Sequence, residues 1–309
     1  MSLMRRMLIK GSESTWLRER ASQAPFVRRA VSRFMPGESL DDMIGAARVM
    51  AGQGVPAVFT QLGEGVKELA EAEAVLEHYL DGIERNARLQ LACEPSIKLT
   101  QLGLDIERNL AYGHLRALAS RAHTLGTYLW IDMEQSSYVD VTLDFTRRLK
   151  SEFPRVGVCL QGYLYRTRED LVDLMGRGIG VRLVKGAYNE PAAMAFPKKS
   201  EVDANYLALA QTILDAGSRA SGSRAVFGTH DTSLIETIRR HAQSIGVATA
   251  EYEFHMLYGI QRAEQLRLAR EGASVRVLIA YGSYWFPWYM RRLAERPANV
   301  WFVAKSVFS

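Results

Sequence analysis

With 309 residues, 48% of them hydrophobic and 24% charged, the chain is an ordinary globular protein, long enough for one large domain or two modest ones and able to bury a sizeable core. Its net charge of +5 is spread without a basic block, which favours small anionic ligands or an anionic membrane surface over nucleic acid. Cys93 and Cys159 sit in separate apolar runs without metal-ligand spacing, and neither a signal peptide nor a spanning run follows the Met1 start, so a cytoplasmic protein with reduced, buried thiols is expected.

The first fifty residues read as helices. Trp16, Leu17, Val27, Val31 and Phe34 recur at helical spacing, Pro36-Gly37 breaks the run, and Ser39-Leu40-Asp41-Asp42 caps a further helix carrying Met43, Ile44, Ala47 and Met50. Residues 1–50 are therefore expected as a helical arm packed on a domain of residues 51–309. From Gly54 onward apolar runs alternate with helix-period segments. Strands are expected at 55–60, 95–99, 127–133, 156–161, 178–188, 225–230, 247–254 and 275–279, with helices over about 66–86 and 105–125 among the connections. Eight strands alternating with helices over roughly 250 residues match an α/β protein of (β/α)8 TIM-barrel type. A doubly wound open sheet competes, but no Gly-x-Gly-x-x-Gly turn follows the early strands.

The stretch Gly178-Ile179-Gly180-Val181-Arg182-Leu183-Val184-Lys185-Gly186-Ala187-Tyr188 carries the most information. Its aliphatic run predicts a strand buried on both faces, and Arg182 interrupts it. A buried arginine requires an anion, a carbonyl array or a ligand. Polar residues also fall at the ends of other strands: Lys98, Asp132, Gln161, Lys185, Thr229 and His230. In a barrel those ends converge on one face, so the set predicts a site although each residue alone would merely end its strand in water. His78, His114, His123, His241 and His255 lack paired ligand spacing and read as surface or packing residues.

After the eighth strand, Tyr281 to Asn299 is rich in aromatic residues. Pro287 suits the first turn of a helix and Pro297 its end, leaving Arg291 and Arg292 between them with Glu295 spaced to pair with one. Two forked guanidinium groups beside aromatic rings suit a small carboxylate.

Taken in order, Ser96-Ile97-Lys98-Leu99-Thr100-Gln101-Leu102-Gly103, Ile131-Asp132-Met133-Glu134, Leu160-Gln161-Gly162-Tyr163-Leu164, Val181 to Tyr188, Gly228-Thr229-His230, Phe254 to Gly259 and Tyr289 to Asn299 resemble the motif series of the monofunctional bacterial proline dehydrogenases. The likeness covers nearly the whole chain. It implies a distorted (β/α)8 barrel that holds FAD at the strand C-termini and oxidises L-proline to Δ1-pyrroline-5-carboxylate, passing electrons to a membrane quinone. By motif, it implies that Asp132 and Arg182 are catalytic and that Lys98, Arg291 and Arg292 hold the substrate carboxylate, with Leu257 lining the proline pocket. It implies FAD contacts from Met133, Gln161, Arg182, Lys185, Gly186, Ala187, Thr229 and His230. The spacing of the cysteines and histidines suggests no metal, and the protein is expected in the cytoplasm, where it can touch the inner face of the membrane peripherally.

The chain departs from the family pattern at two places. A tyrosine is expected where it has Leu278, and commonly where it has Trp288, so hydroxyproline or another cyclic secondary amine acid is an alternative substrate. Two rival readings stand beside these: a Schiff-base lyase using Lys98 or Lys185 next to Asp132, and a non-enzymatic binding scaffold.

Overall fold

The computed structural model describes residues 31–286 and 288–290. Ser39 opens the first described helix, α1 (Leu40–Ala51), with a reciprocal capping box: the Asp42 amide donates to Ser39 Oγ at 3.1 Å, and the Ser39 amide donates to the Asp42 carboxylate at 3.0 Å. α1 buries Met43, Ile44, Ala47 and Met50 against the strands that follow. The cysteines foreseen as small buried hydrophobes are both buried and free.

Eight parallel strands close into a barrel in chain order: β1 (Ala57–Gln61), β2 (Cys93–Ile97), β3 (Leu129–Ile131), β4 (Val156–Gln161), β5 (Gly180–Val184), β6 (Ala225–Gly228), β7 (Tyr252–Leu257) and β8 (Ser274–Tyr281). Closure is a five-residue register between β1 and β8, Ala57 opposite Val277 through Gln61 opposite Tyr281. The connecting helices are α2 (Leu69–Arg88), α3 (Arg108–Thr124), α4 (Val139–Glu152), α5 (Thr167–Gly176), α6 (Lys199–Leu214) with the short α7 (Ala216–Ala220), α8 (Thr232–Ser244) and α9 (Arg262–Arg270). The fold is thus the (β/α)8 barrel that the alternation predicts. Its main apolar core lies between strands and helices, while Val58, Trp130 and Val226, with Leu278 at their edge, pack as a separate cluster.

The strand boundaries differ from expectation where a helix end claims the residues. The seventh strand starts at Tyr252, five residues later than its apolar run suggests. Val247 closes α8 by donating to Ala242 O at 2.8 Å, and Glu251 then captures the Ala248 amide in a turn at 2.9 Å. Likewise Thr127 donates to Ala122 O at the end of α3, which trims β3 to three residues. β2 stops at Ile97 because Leu99–Leu102 winds into a 3-10 turn that ends on Gly103 at a φ of 92°.

Past β8, residues 285, 286 and 288–290 are helical. Trp285, Phe286, Trp288 and Tyr289 pack with Val31, Met35, Leu62 and Ala280 into a second cluster, joined at its edge by Phe34, Leu257, Leu278 and Met290. These aromatic side chains pack this segment against residues 31–35.

Candidate functional site

The two-residue period of a strand gives β5 its unusual content. Arg182 lies in the middle of the strand, 2% exposed, beside Cys159 of β4 and Val226 of β6. Its Nη2 donates to Ser96 Oγ of β2 at 2.7 Å and to Asp132 Oδ1, just past β3. Ser96 Oγ donates to that same Oδ1 at 2.9 Å, while Asp132 Oδ2 makes no hydrogen bond among the described residues. The Asp132 side chain remains 17% exposed, so this pair sits at an opening to solvent. Three strands, separated by up to 86 positions in sequence, therefore supply one buried charged cluster. Arg182 Nη1 is buried and lacks a hydrogen-bond partner among the described residues. A bare charged donor costs more than the roughly 1–3 kcal/mol of a neutral orphan, so this atom marks where an acceptor belongs.

Beside the cluster, Lys98 is half-buried at the head of the 3-10 turn. Glu134, 4% exposed, anchors that turn: its carboxylate accepts from the Thr100 amide at 3.1 Å and from Thr100 Oγ1. Burial pushes the Glu134 carboxyl up to about 6, against the pull of the Thr100 hydroxyl and the Lys98 charge. Thr100 also accepts from the Gly65 amide at 3.1 Å, which ties the loop after β1 to the same point. Gln161, 2% exposed at the end of β4, donates to Glu134 O at 2.7 Å, and Met133, next to Glu134 in sequence, is buried.

The residues after β5 and β6 form a second group. Lys185 contacts the carboxylates of Asp203 at 2.6 Å and Asp231 at 3.1 Å. Asp231 caps α8, and hydrogen bonds from Ser233 and Lys185 outweigh its burial and bring its carboxyl down to about 2. Gly186 has a φ of 119°, and any Cβ there would strike the Tyr163 ring, so the glycine is required by packing as well as by backbone conformation. Ala187 is half-buried next to it. Thr229 Oγ1 accepts from the Asp231 amide at 3.1 Å. His230 Nε2 accepts from the Leu257 amide at 2.7 Å, so a neutral His230 carries its proton on Nδ1. Leu257 lies opposite Leu278 in the β7–β8 register, and both border the aromatic cluster around Trp288.

Lys98, Asp132, Gln161, Arg182, Lys185, Thr229, His230 and Leu257 thus lie at or near the C-terminal ends of β2 to β7. Arg291 and Arg292 lie outside the described residues. Sequence reasoning passed over Ser96, Trp130 and Glu134. The period of two was the available signal, since Ser96 precedes Lys98, and Trp130 precedes Asp132, by two positions on their strands. Among the described residues no three His, Cys, Asp or Glu side chains are arranged to hold a metal ion. The unpartnered Nη1 of Arg182 fits an acceptor-rich planar group such as a flavin, and the Lys185 ammonium would contact phosphate only while shared with its two carboxylates.

The family model described as proline dehydrogenase matches residues 43–305. Over 280 residues the chain is 38% identical to proline dehydrogenase 1 of Bacillus subtilis subsp. natto, covering 91% of each chain. It is 35% identical to the proline dehydrogenase of Deinococcus radiodurans, covering 89% of each. Among solved structures, the proline utilization A protein of Bdellovibrio bacteriovorus, inactivated by N-propargylglycine, superposes with a TM-score of 0.80 at 21% identity, a likeness of fold. That match takes in 94% of this chain and 36% of the larger one, so the chain spans about a third of that protein's length.

Proposed function

The chain belongs to the proline dehydrogenase family, and from that premise we propose that it oxidises L-proline to Δ1-pyrroline-5-carboxylate with FAD held at the C-terminal rim of the barrel. FAD, when bound, supplies the acceptor for the hydride that leaves the substrate. Met133, Gln161, Arg182, Lys185, Gly186, Ala187, Thr229 and His230 would hold it. Lys98, with Arg291 and Arg292, would grip the substrate carboxylate, fixing the ring carbon beside the nitrogen at one distance and angle. The secondary ammonium must shed a proton before that carbon can release a hydride. Asp132 Oδ2, which has no partner among the described residues, is the acceptor we assign to the substrate N–H.

The observation that carries this reading is the Ser96–Asp132–Arg182 cluster with its unpartnered Nη1. A rigid, permanently charged donor at a half-open mouth stabilises negative charge that develops during reaction without reorganising. The amine of Lys185, engaged by two carboxylates, is a poor nucleophile, which argues against Lys185 as the nucleophile of the Schiff-base alternative. We assign a quinone as the electron acceptor, reached by peripheral contact with the membrane. No helix among the described residues is long and apolar enough to cross one.

Leu257 and Leu278, side by side and bordered by Trp288, offer no hydroxyl to a substituent on the substrate ring. That wall favours proline over hydroxyproline. The test is the absorption spectrum of the purified protein, supplemented with FAD. We expect flavin bands that bleach anaerobically with L-proline. A protein that takes up no FAD, or a bound flavin that L-proline leaves oxidised, would refute the proposal; bleaching by hydroxyproline alone would establish the alternative substrate.

A further inference from the structure

Below the Asp132–Arg182 pair the barrel interior holds a charged base. Arg224, just before β6, meets Glu94 at 2.9 Å and Glu253 at 2.6 Å, and Arg276 of β8 meets Glu253 at 3.0 Å. Between this base and the rim lies Trp130, fully buried. Its Nε1 donates to Glu94 Oε2 at 2.8 Å, so one edge of the indole is tied to the base network. The Arg182 guanidinium carbon lies 5.1 Å from the centre of the Trp130 ring and that of Arg224 lies 5.3 Å from it. Arg224 stands level with Gly180, and Arg182 is two residues further up the same strand.

Two absences make room for this column. A Cβ on Gly157 of β4 would sit 2.6 Å from the Trp130 ring, and one on Gly180 would collide with the hydroxyl of Tyr128. The ring of Tyr128 lies 4.9 Å from that of Trp130. The His255 ring closes another side, edge-on at 5.6 Å. The indole is therefore held by a hydrogen bond and hemmed by two rings, whereas the Arg182 side chain it supports is long and has one nitrogen without a partner. A guanidinium over an indole face in a desolvated interior is a substantial attraction.

We propose that Trp130 is a positioning residue: its ring face supports the Arg182 guanidinium at the height where it meets both Ser96 and Asp132. The consequence for catalysis rests on the proline reading above, but the geometric claim does not. Two variants separate the ring face from mere volume. Trp130→Phe keeps a π-face, and Trp130→Met fills the space without one.

In crystals of the cofactor-free proteins we expect the 2.7 Å bond from Arg182 Nη2 to Ser96 Oγ to persist in the Phe variant and to be lost in the Met variant. In the FAD-loaded proteins we expect the Met variant to hold the two-electron-reduced flavin about tenfold less tightly relative to the oxidised form. This is a fall of about 30 mV in midpoint potential. The Phe variant should stay at the wild-type value, and the dissociation constant of a carboxylate competitive inhibitor should be unchanged in both. An unmoved guanidinium in the Met variant, or equal displacement in both variants, overturns the proposal. If FAD-loaded wild-type protein fails to bleach with L-proline, the proline reading falls, while the cofactor-free crystals still decide the role of Trp130.

Discussion

Replacing Arg182 by methionine separates stability from function. The substitution removes two hydrogen bonds from a charged donor, to Ser96 and Asp132, each worth roughly 1.5–3 kcal/mol. It also removes the contact with Trp130, worth roughly 0.5–2 kcal/mol. Against these stand the several kcal/mol of desolvation that a buried guanidinium costs and the unsatisfied Nη1. Asp132 keeps Ser96 and its partial exposure, so it can regain water. The terms nearly cancel, and we expect Arg182→Met to be destabilised by no more than about 2 kcal/mol, read by chemical denaturation of the cofactor-free protein. Flavin reduction by L-proline in a stopped-flow instrument should nevertheless slow by roughly 10²–10³, the usual result of deleting a preorganised donor. A slowing of less than tenfold would refute the role given to Arg182. So would a loss of carboxylate-inhibitor binding as large as the loss of rate.

Further tests follow from the neighbouring groups. The Glu134 carboxyl is pushed up to about 6 from its usual 4.5, so the folded protein binds this proton more tightly than the unfolded chain, and stability should fall as pH rises from about 4.5 through 6. With about 1.4 kcal/mol per pH unit, Glu134→Gln should be more stable than wild type at pH 8 by up to about 2 kcal/mol and equal to it at pH 4. Identical denaturation profiles of the two proteins against pH would contradict this. Asp231→Asn keeps a good cap on α8 but removes one of the two carboxylates on Lys185. FAD should then bind a few-fold more tightly, by fluorescence titration of the cofactor-free protein, and weaker binding would argue against Lys185 as a phosphate contact. The Leu257–Leu278 wall should favour proline over hydroxyproline in kcat/KM, but by no more than about 10², since an apolar pocket rejects an added hydroxyl only weakly. Leu278→Tyr should change that ratio, and an unaltered ratio would remove Leu278 from the pocket.

The elements that could be read from the sequence are those whose signals are local. β4 matched its apolar run from Val156 to Gln161, and the Ser39–Asp42 capping box marked the start of α1 to the residue. The start of β7 was missed because Val247 looks like strand but is consumed in closing α8. Asp132 and Arg182 stood out because a charge at the end of an apolar run, or inside one, is conspicuous. Ser96 and Trp130 did not, because a hydroxyl and an indole in a strand read as ordinary packing until the closed barrel brings β2, β3 and β5 together. Similarly, Lys185 was visible, but nothing in the sequence links it to Asp203 on α6 or Asp231 at the head of α8.

One rim of the barrel should hold both cofactor and substrate. The most direct test is a crystal structure of the FAD-loaded protein with cyclopentanecarboxylate, which has the carboxylate and ring but no amine. We expect Arg182 Nη1 to donate to the flavin, Lys98 to meet the carboxylate, and the inhibitor ring to lie between the flavin and Asp132. A flavin bound elsewhere, with Nη1 still lacking an acceptor, would contradict this.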